Sequence, residues 1–144
     1  MKRTLGRLVA FDVGKKRVGI AVTDPSQIIA NGLTTLVIHE VLPFLVKYLE
    51  NEQVDLFVVG YARQTNGEDS ESMAYIKPFV QSLKNKFPHI TVEWVDERYT
   101  SQMAFQAMID GGLGKKARRD KAMIDKISAT IILQSYLESR DFGR

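Results

Sequence analysis

Residues 8–22 read LVAFDVGKKRVGIAV. Two β-rich runs, 7–13 and 17–23, flank the short segment GKK, a pattern that predicts an antiparallel hairpin. One carboxylate, Asp12, interrupts the first run, and Gly14 and three cations, Lys15, Lys16 and Arg17, come soon after. An isolated carboxylate is costly to bury unless it is paired, hydrogen-bonded or metal-bound. The hairpin therefore opens a sheet and raises the question of what gathers around Asp12.

Beyond the hairpin, NGLTTLVIH at 31–39 predicts a third strand after a turn at Pro25, and short turns between three strands imply an antiparallel meander. EVLPFLVKYLEN has apolar residues at 41, 42, 45, 46 and 49, a helical spacing, with Pro43 where a first turn tolerates it. DLFVVG at 55–60 is a continuous apolar strand of the kind buried on both faces. A polar loop with Asn66-Gly67 as its turn follows, then a helix over 70–86 that Pro78 would kink. ITVEWV at 90–95 is a further strand, in which Trp94 reads as a packing residue. A helix over 100–112, a Gly- and Lys/Arg-rich loop and a last helix over 120–138 complete the order, with 140–144 expected as a mobile tail. Strands separated by helices add in parallel, so the expected fold is α/β, with a mixed five-stranded sheet flanked by helices.

At 144 residues the chain is expected to form one domain, 1–144. Its 44% apolar and 26% charged content is that of a globular protein, and its net charge of +3 permits nucleic-acid binding without requiring it. There is no cysteine, which excludes disulfides and thiolate metal sites, and only two histidines, His39 and His89. A metal would be held by oxygen, which favours Mg²⁺ or Mn²⁺. Asp12 breaks the N-terminal apolar run, so no signal peptide is expected, and no run reaches the roughly 18 apolar residues that span a bilayer. A cytoplasmic protein without membrane contact is the expectation.

Three places could supply acids to one site. Asp12 lies on the opening strand, Asp96-Glu97 just beyond the last strand, and Asp125 near the start of the last helix. Parallel α/β sheets bind ligands beyond the carboxyl ends of their strands, where the Asp96-Glu97 pair sits. Asp125 is in line with Ala129 and Ile132, an apolar stripe that should face the sheet. Each acid also has a plainer role: a turn former, an ion-pair partner for Arg98, and a helix N-terminal charge. Should the three meet, a divalent cation relieves their repulsion, and two such ions suit phosphodiester cleavage. Lys15, Lys16 and Arg17, together with Lys115, Lys116, Arg118 and Arg119 in the glycine-rich loop, could neutralise backbone phosphates.

AFDVGKKRVGIAV, VDERYTS and DKISATIILQSYL resemble the YqgF family, also described as RuvX-like or pre-16S rRNA nucleases, over nearly the whole chain. The resemblance implies a ribonuclease H-like fold and a nuclease that matures the 5′ end of pre-16S rRNA, with Holliday-junction resolution as an older proposal. It implies an acidic site of Asp12, Glu97 and Asp125, with Asp96 as the alternative second ligand, and Arg98 orienting a carboxylate or contacting phosphate. Such a site would take a two-metal arrangement of Mg²⁺ or Mn²⁺. Two features depart from the expected pattern. The strand ending at Gly60 lacks the terminal acid found in many ribonuclease H-like nucleases, and Tyr61-Ala62 replaces a Leu-Pro pair. Actin-like ATPases and sugar kinases share the Asp-Gly opening but resemble two such domains, for which this chain has no room. A non-catalytic nucleic-acid-binding module is the other alternative. Pre-rRNA or branched DNA would be the partner, and a resolvase would need a homodimer where an RNA-trimming enzyme could work as a monomer.

Overall fold

The computed structural model describes residues 6–61, 71–96 and 121–142. The opening hairpin forms as β1 (Arg7–Val13) and β2 (Arg17–Thr23), followed by β3 (Ala30–Val37) and a 3₁₀ turn at Ile38–Glu40. Next come α1 (Val41–Asn51), β4 (Val54–Tyr61), α2 (Met73–Lys86), β5 (Thr91–Asp96) and α3 (Lys121–Phe142). The five strands make one sheet in the order β3-β2-β1-β4-β5. The first three are antiparallel, whereas β4 and β5 join β1 in parallel. The mixed sheet expected from strand and helix order is the one observed.

Period-two alternation divides each central strand between two cores. Val9, Phe11 and Val13 of β1 pack with Val18, Ile20, Phe57 and Val59 under α1 and α2. Phe11 anchors that side, meeting Phe57 and Phe79 edge-to-face at centroid separations of 5.4 and 5.5 Å. Such pairs contribute about 0.5–1.5 kcal/mol each beyond the area they bury. The opposite face is covered by α3, where Leu8, Ala10, Ala21 and Val58 meet Ala129, Ile132, Leu133 and Leu137. Ala10 and Ala21 are small, which brings the helix close to β1 and β2 there.

Several boundaries differ from the sequence reading. β3 stops at Val37 because Ile38 turns into the 3₁₀ segment and donates its N–H to the Lys16 carbonyl, 2.9 Å away. That bond ties the hairpin tip to the end of β3. On α1 the buried stripe is Val41 and Leu45, flanked by Phe44 and Tyr48, whereas Val46 is exposed. α2 continues through Pro78, and the Pro78 carbonyl accepts from Ser82 Oγ. Most notably, α3 runs past the expected end at 138. Arg140, expected in a mobile tail, donates to Gln27 Oε1 at 2.9 Å and to the Gln27 carbonyl at 3.1 Å. The predicted Asn66-Gly67 turn, the helix at 100–112 and the basic loop lie outside the described residues.

Asp24 organises the β2–β3 connection that Arg140 grips. Its Oδ1 accepts from the N–H groups of Ile28 and Ile29, and its Oδ2 from that of Ser26. The bonds from Ile29 and Ile28 are the chief reason its carboxyl is held below the ordinary value of 3.8. Gln27, at the tip, takes a left-handed conformation with φ of 59°. No described helix is long and apolar enough to cross a membrane.

Candidate active site

Alternation on β1 turns Asp12, like Leu8 and Ala10, toward α3. Across the antiparallel ladder Asp12 lies opposite Gly19 of β2. Directly opposite residues share a face, with Cβ positions about 5 Å apart. A Cβ on Gly19 would fall 2.0 Å from the carbonyl oxygen of Asp125 and 2.4 Å from its carbonyl carbon. The first turns of α3 therefore rest directly on the bare backbone of Gly19. Glycine is required here, and its effect is to set the Asp125 residue beside Asp12. One strand further out, the stem of Lys126 crosses Gly32 in the same way.

The hairpin tip completes the constellation. The Gly14 N–H donates to the Arg17 carbonyl at 2.8 Å, and a Cβ on Gly14 would meet that same oxygen at 2.9 Å. Arg17 opens β2 and shares the α3 face with Gly19 and Ala21, and its Nε donates to Asp125 Oδ2 at 3.3 Å. Lys15 and Lys16 are exposed at the tip. Gly14, Lys15, Lys16, Arg17 and Asp125 line a cleft of about 400 Å³. It lies at the carboxyl end of β1, the end at which parallel strands present ligand sites. A larger hollow of about 610 Å³, lined by residues 49–55 and His89, lies at the opposite end of β4.

The other sequence candidates divide as follows. Asp96 pairs in register with Tyr61, whose ring packs with the α1/α2 core and meets Trp94 edge-to-face at 5.7 Å. By that register Asp96 belongs to the face opposite Asp12 and Asp125. Trp94 packs on Tyr61 yet remains 38% exposed. Glu97, Arg98, Lys115, Lys116, Arg118 and Arg119 lie outside the described residues. Among the described residues no three His, Asp or Glu side chains form a metal-holding group. Gly19 was missed as a site residue. Its signal was present, since an isolated glycine inside a strand pattern marks a close backbone approach.

The sequence profile of the RuvX family, described as Holliday junction resolvase, matches residues 6–139. The chain belongs to the RuvX family. Among its RuvX relatives, a protein of Phocaeicola vulgatus named "Putative pre-16S rRNA nuclease" is 57% identical, with 96% of this chain and 99% of that protein covered. Relatives of the same name from Bacteroides thetaiotaomicron and Porphyromonas gingivalis are 54% and 52% identical, covering 96% and 95% of this chain and 100% and 99% of theirs. Among solved structures, the fold resembles Thermus thermophilus RuvC in complex with a Holliday junction substrate, with a TM-score of 0.57 at 14% identity. That likeness covers 95% of this chain and 96% of that one. A second RuvC structure from Thermus thermophilus gives 0.52 at 14% identity, covering 94% and 96%. The RuvX chain thus has the ribonuclease H-like fold that its motifs implied.

Proposed function

We propose that this chain is a metal-dependent endonuclease that hydrolyses phosphodiester bonds during 5′-end processing of pre-16S rRNA. The observation that carries the reading is the seating of Asp125 on Gly19, directly beside Asp12 and next to a basic hairpin tip. Asp12 and Asp125 come from backbone positions brought together at the carboxyl end of a central strand, and their carboxylates are hard-oxygen donors of the kind that suits Mg²⁺ or Mn²⁺. Glu97 is the third acid. Strand alternation gives Asp96 to the α1/α2 face, away from Asp12, which favours Glu97 over Asp96 as the third acid. Asp12, Glu97 and Asp125 would hold the ions. When bound, such ions lower the pKa of a water nucleophile and stabilise the leaving oxygen.

The chain's own groups position the substrate. Lys15 and Lys16 neutralise phosphates at the cleft mouth, with Arg98, Lys115, Lys116, Arg118 and Arg119 as further cations for the strand. Arg17 contributes charge on the same side. A substrate in pre-rRNA places the protein in the cytoplasm.

The family description favours a second reading, a resolvase cutting four-way DNA junctions, which would need two copies of the site and hence a homodimer. A cleavage assay with Mg²⁺ or Mn²⁺, offering a 5′-extended small-subunit rRNA precursor and a four-way DNA junction, separates the two. Metal-dependent cutting of the precursor is the expected result. Cutting of the junction alone supports the resolvase. Binding without cleavage of either substrate sinks the enzymatic reading.

A further inference from the structure

Arg17 follows two exposed lysines in sequence, yet it is placed differently from them. As the first residue of β2 it shares the face of Gly19 and Ala21, and it reaches the carboxylate that the helix delivers there. The Arg17–Asp125 pair is half-buried, with the side chains 40% and 24% exposed. Both residues line the same cleft. We propose that Arg17 is a positioning residue, the resident counter-cation of Asp125, which orients that carboxylate in the metal-free protein and sets how tightly a divalent cation binds beside it.

The inference rests on the metal-site reading given above. A dication approaching Asp125 meets a carboxylate oxygen already accepting from a guanidinium, and it meets a like charge nearby. It must displace the pair or share the carboxylate with it. Partly exposed ion pairs are weak, so relieving this competition should change metal affinity by a factor of about 1.5 to 5. The sign is definite: removing the arginine charge tightens metal binding. If Arg17 served only as a phosphate contact, metal affinity would not change. If it served only the fold, its loss would alter stability and leave the affinity of the folded protein as it was.

The test is a calorimetric titration of Mn²⁺ into the nucleic-acid-free full chain, comparing wild type, Arg17→Gln, Arg17→Lys and Asp125→Asn. Urea midpoints establish that each variant is folded. Arg17→Gln should bind Mn²⁺ about 1.5- to 5-fold more tightly. Arg17→Lys, which keeps the charge, should return toward the wild-type value, and Asp125→Asn should lose binding. Should Arg17→Gln fail to fold, Arg17→Met, uncharged with a comparable stem, must show the same tightening. Unchanged or weaker binding by the uncharged variants, with binding still lost in Asp125→Asn, overturns the role of Arg17 and leaves the metal site standing. Wild-type Mn²⁺ affinity in Asp125→Asn overturns the metal site and this inference with it.

Discussion

Replacing Gly19 with alanine adds one methyl group at the contact on which the site depends. The new Cβ would stand 2.0 Å from the Asp125 carbonyl oxygen, whereas ordinary contact begins at 3.4 Å, so the helix backbone must retreat by about 1.4 Å. The obstacle is main chain, which cannot swing aside as a side-chain tip can. Overpacking of this kind costs about 1–3 kcal/mol, measurable by urea denaturation. Misplacing a catalytic group by about 1 Å can cost 10²-fold in rate, and the displaced backbone is that of Asp125 itself. Gly19→Ala should therefore remain folded and cleave the rRNA precursor roughly 100-fold more slowly under single-turnover conditions. Gly32→Ala is the matched control. Its Cβ would meet side-chain atoms only, Lys126 Cγ at 2.7 Å and Thr130 Oγ1 at 3.1 Å, and no helix backbone, so it should be milder than Gly19→Ala in both assays. A Gly19→Ala protein with wild-type stability and rate, or a Gly32→Ala protein equally impaired, would refute the claim that this close approach builds the site.

Three further outcomes follow from other parts of the molecule. Exchanging Lys15 and Lys16 together for glutamine should weaken nucleic-acid binding and reduce the salt slope by about 0.7–0.9 for each phosphate no longer neutralised, and an unchanged slope would remove the hairpin tip from the interface. The Asp24 carboxyl is held below its ordinary value in the native protein, so its stabilisation of the β2–β3 loop is complete above 3.8 and is lost as pH falls through the lower native value. Asp24→Asn should flatten the acid limb of stability measured by denaturation across that range. If its acid limb matched that of the wild type, the carboxyl would not be the source. Phe11→Ala removes the ring that meets both Phe57 and Phe79 and should lower the unfolding free energy by about 3–5 kcal/mol, whereas a drop below about 1 kcal/mol would mean that side of the core repacks freely.

The sheet was legible because its signals are local. The GKK hairpin, the apolar run of β4 and the helical spacing after Glu40 each declare an element within about a dozen residues. Asp125 was legible too, since its alignment with Ala129 and Ile132 gave it the sheet side of α3, and both of those residues are fully buried. What stayed hidden depends on distant contacts. The end of α3 carries no stop signal before Phe142, and its order comes from Arg140 gripping Gln27, 113 positions away in sequence. The early end of β3 likewise reflects the Ile38 bond to Lys16, which no propensity reports. Arg17 looked like a third member of a cationic run. Only the strand register turns it toward Asp125 and away from the role of its neighbours.

The most direct test of the central claim is single-turnover cleavage of the 5′-extended rRNA precursor by Asp12→Asn beside wild type, with RNA affinity measured on the same preparations. The substitution keeps the shape of a half-buried strand residue and removes its charge. The acidic site predicts that Mg²⁺- or Mn²⁺-dependent cleavage disappears while affinity for the RNA stays close to that of the wild type. Cleavage that persists at the wild-type rate in Asp12→Asn would contradict it, and the carboxylate opposite Gly19 would then have no part in the chemistry.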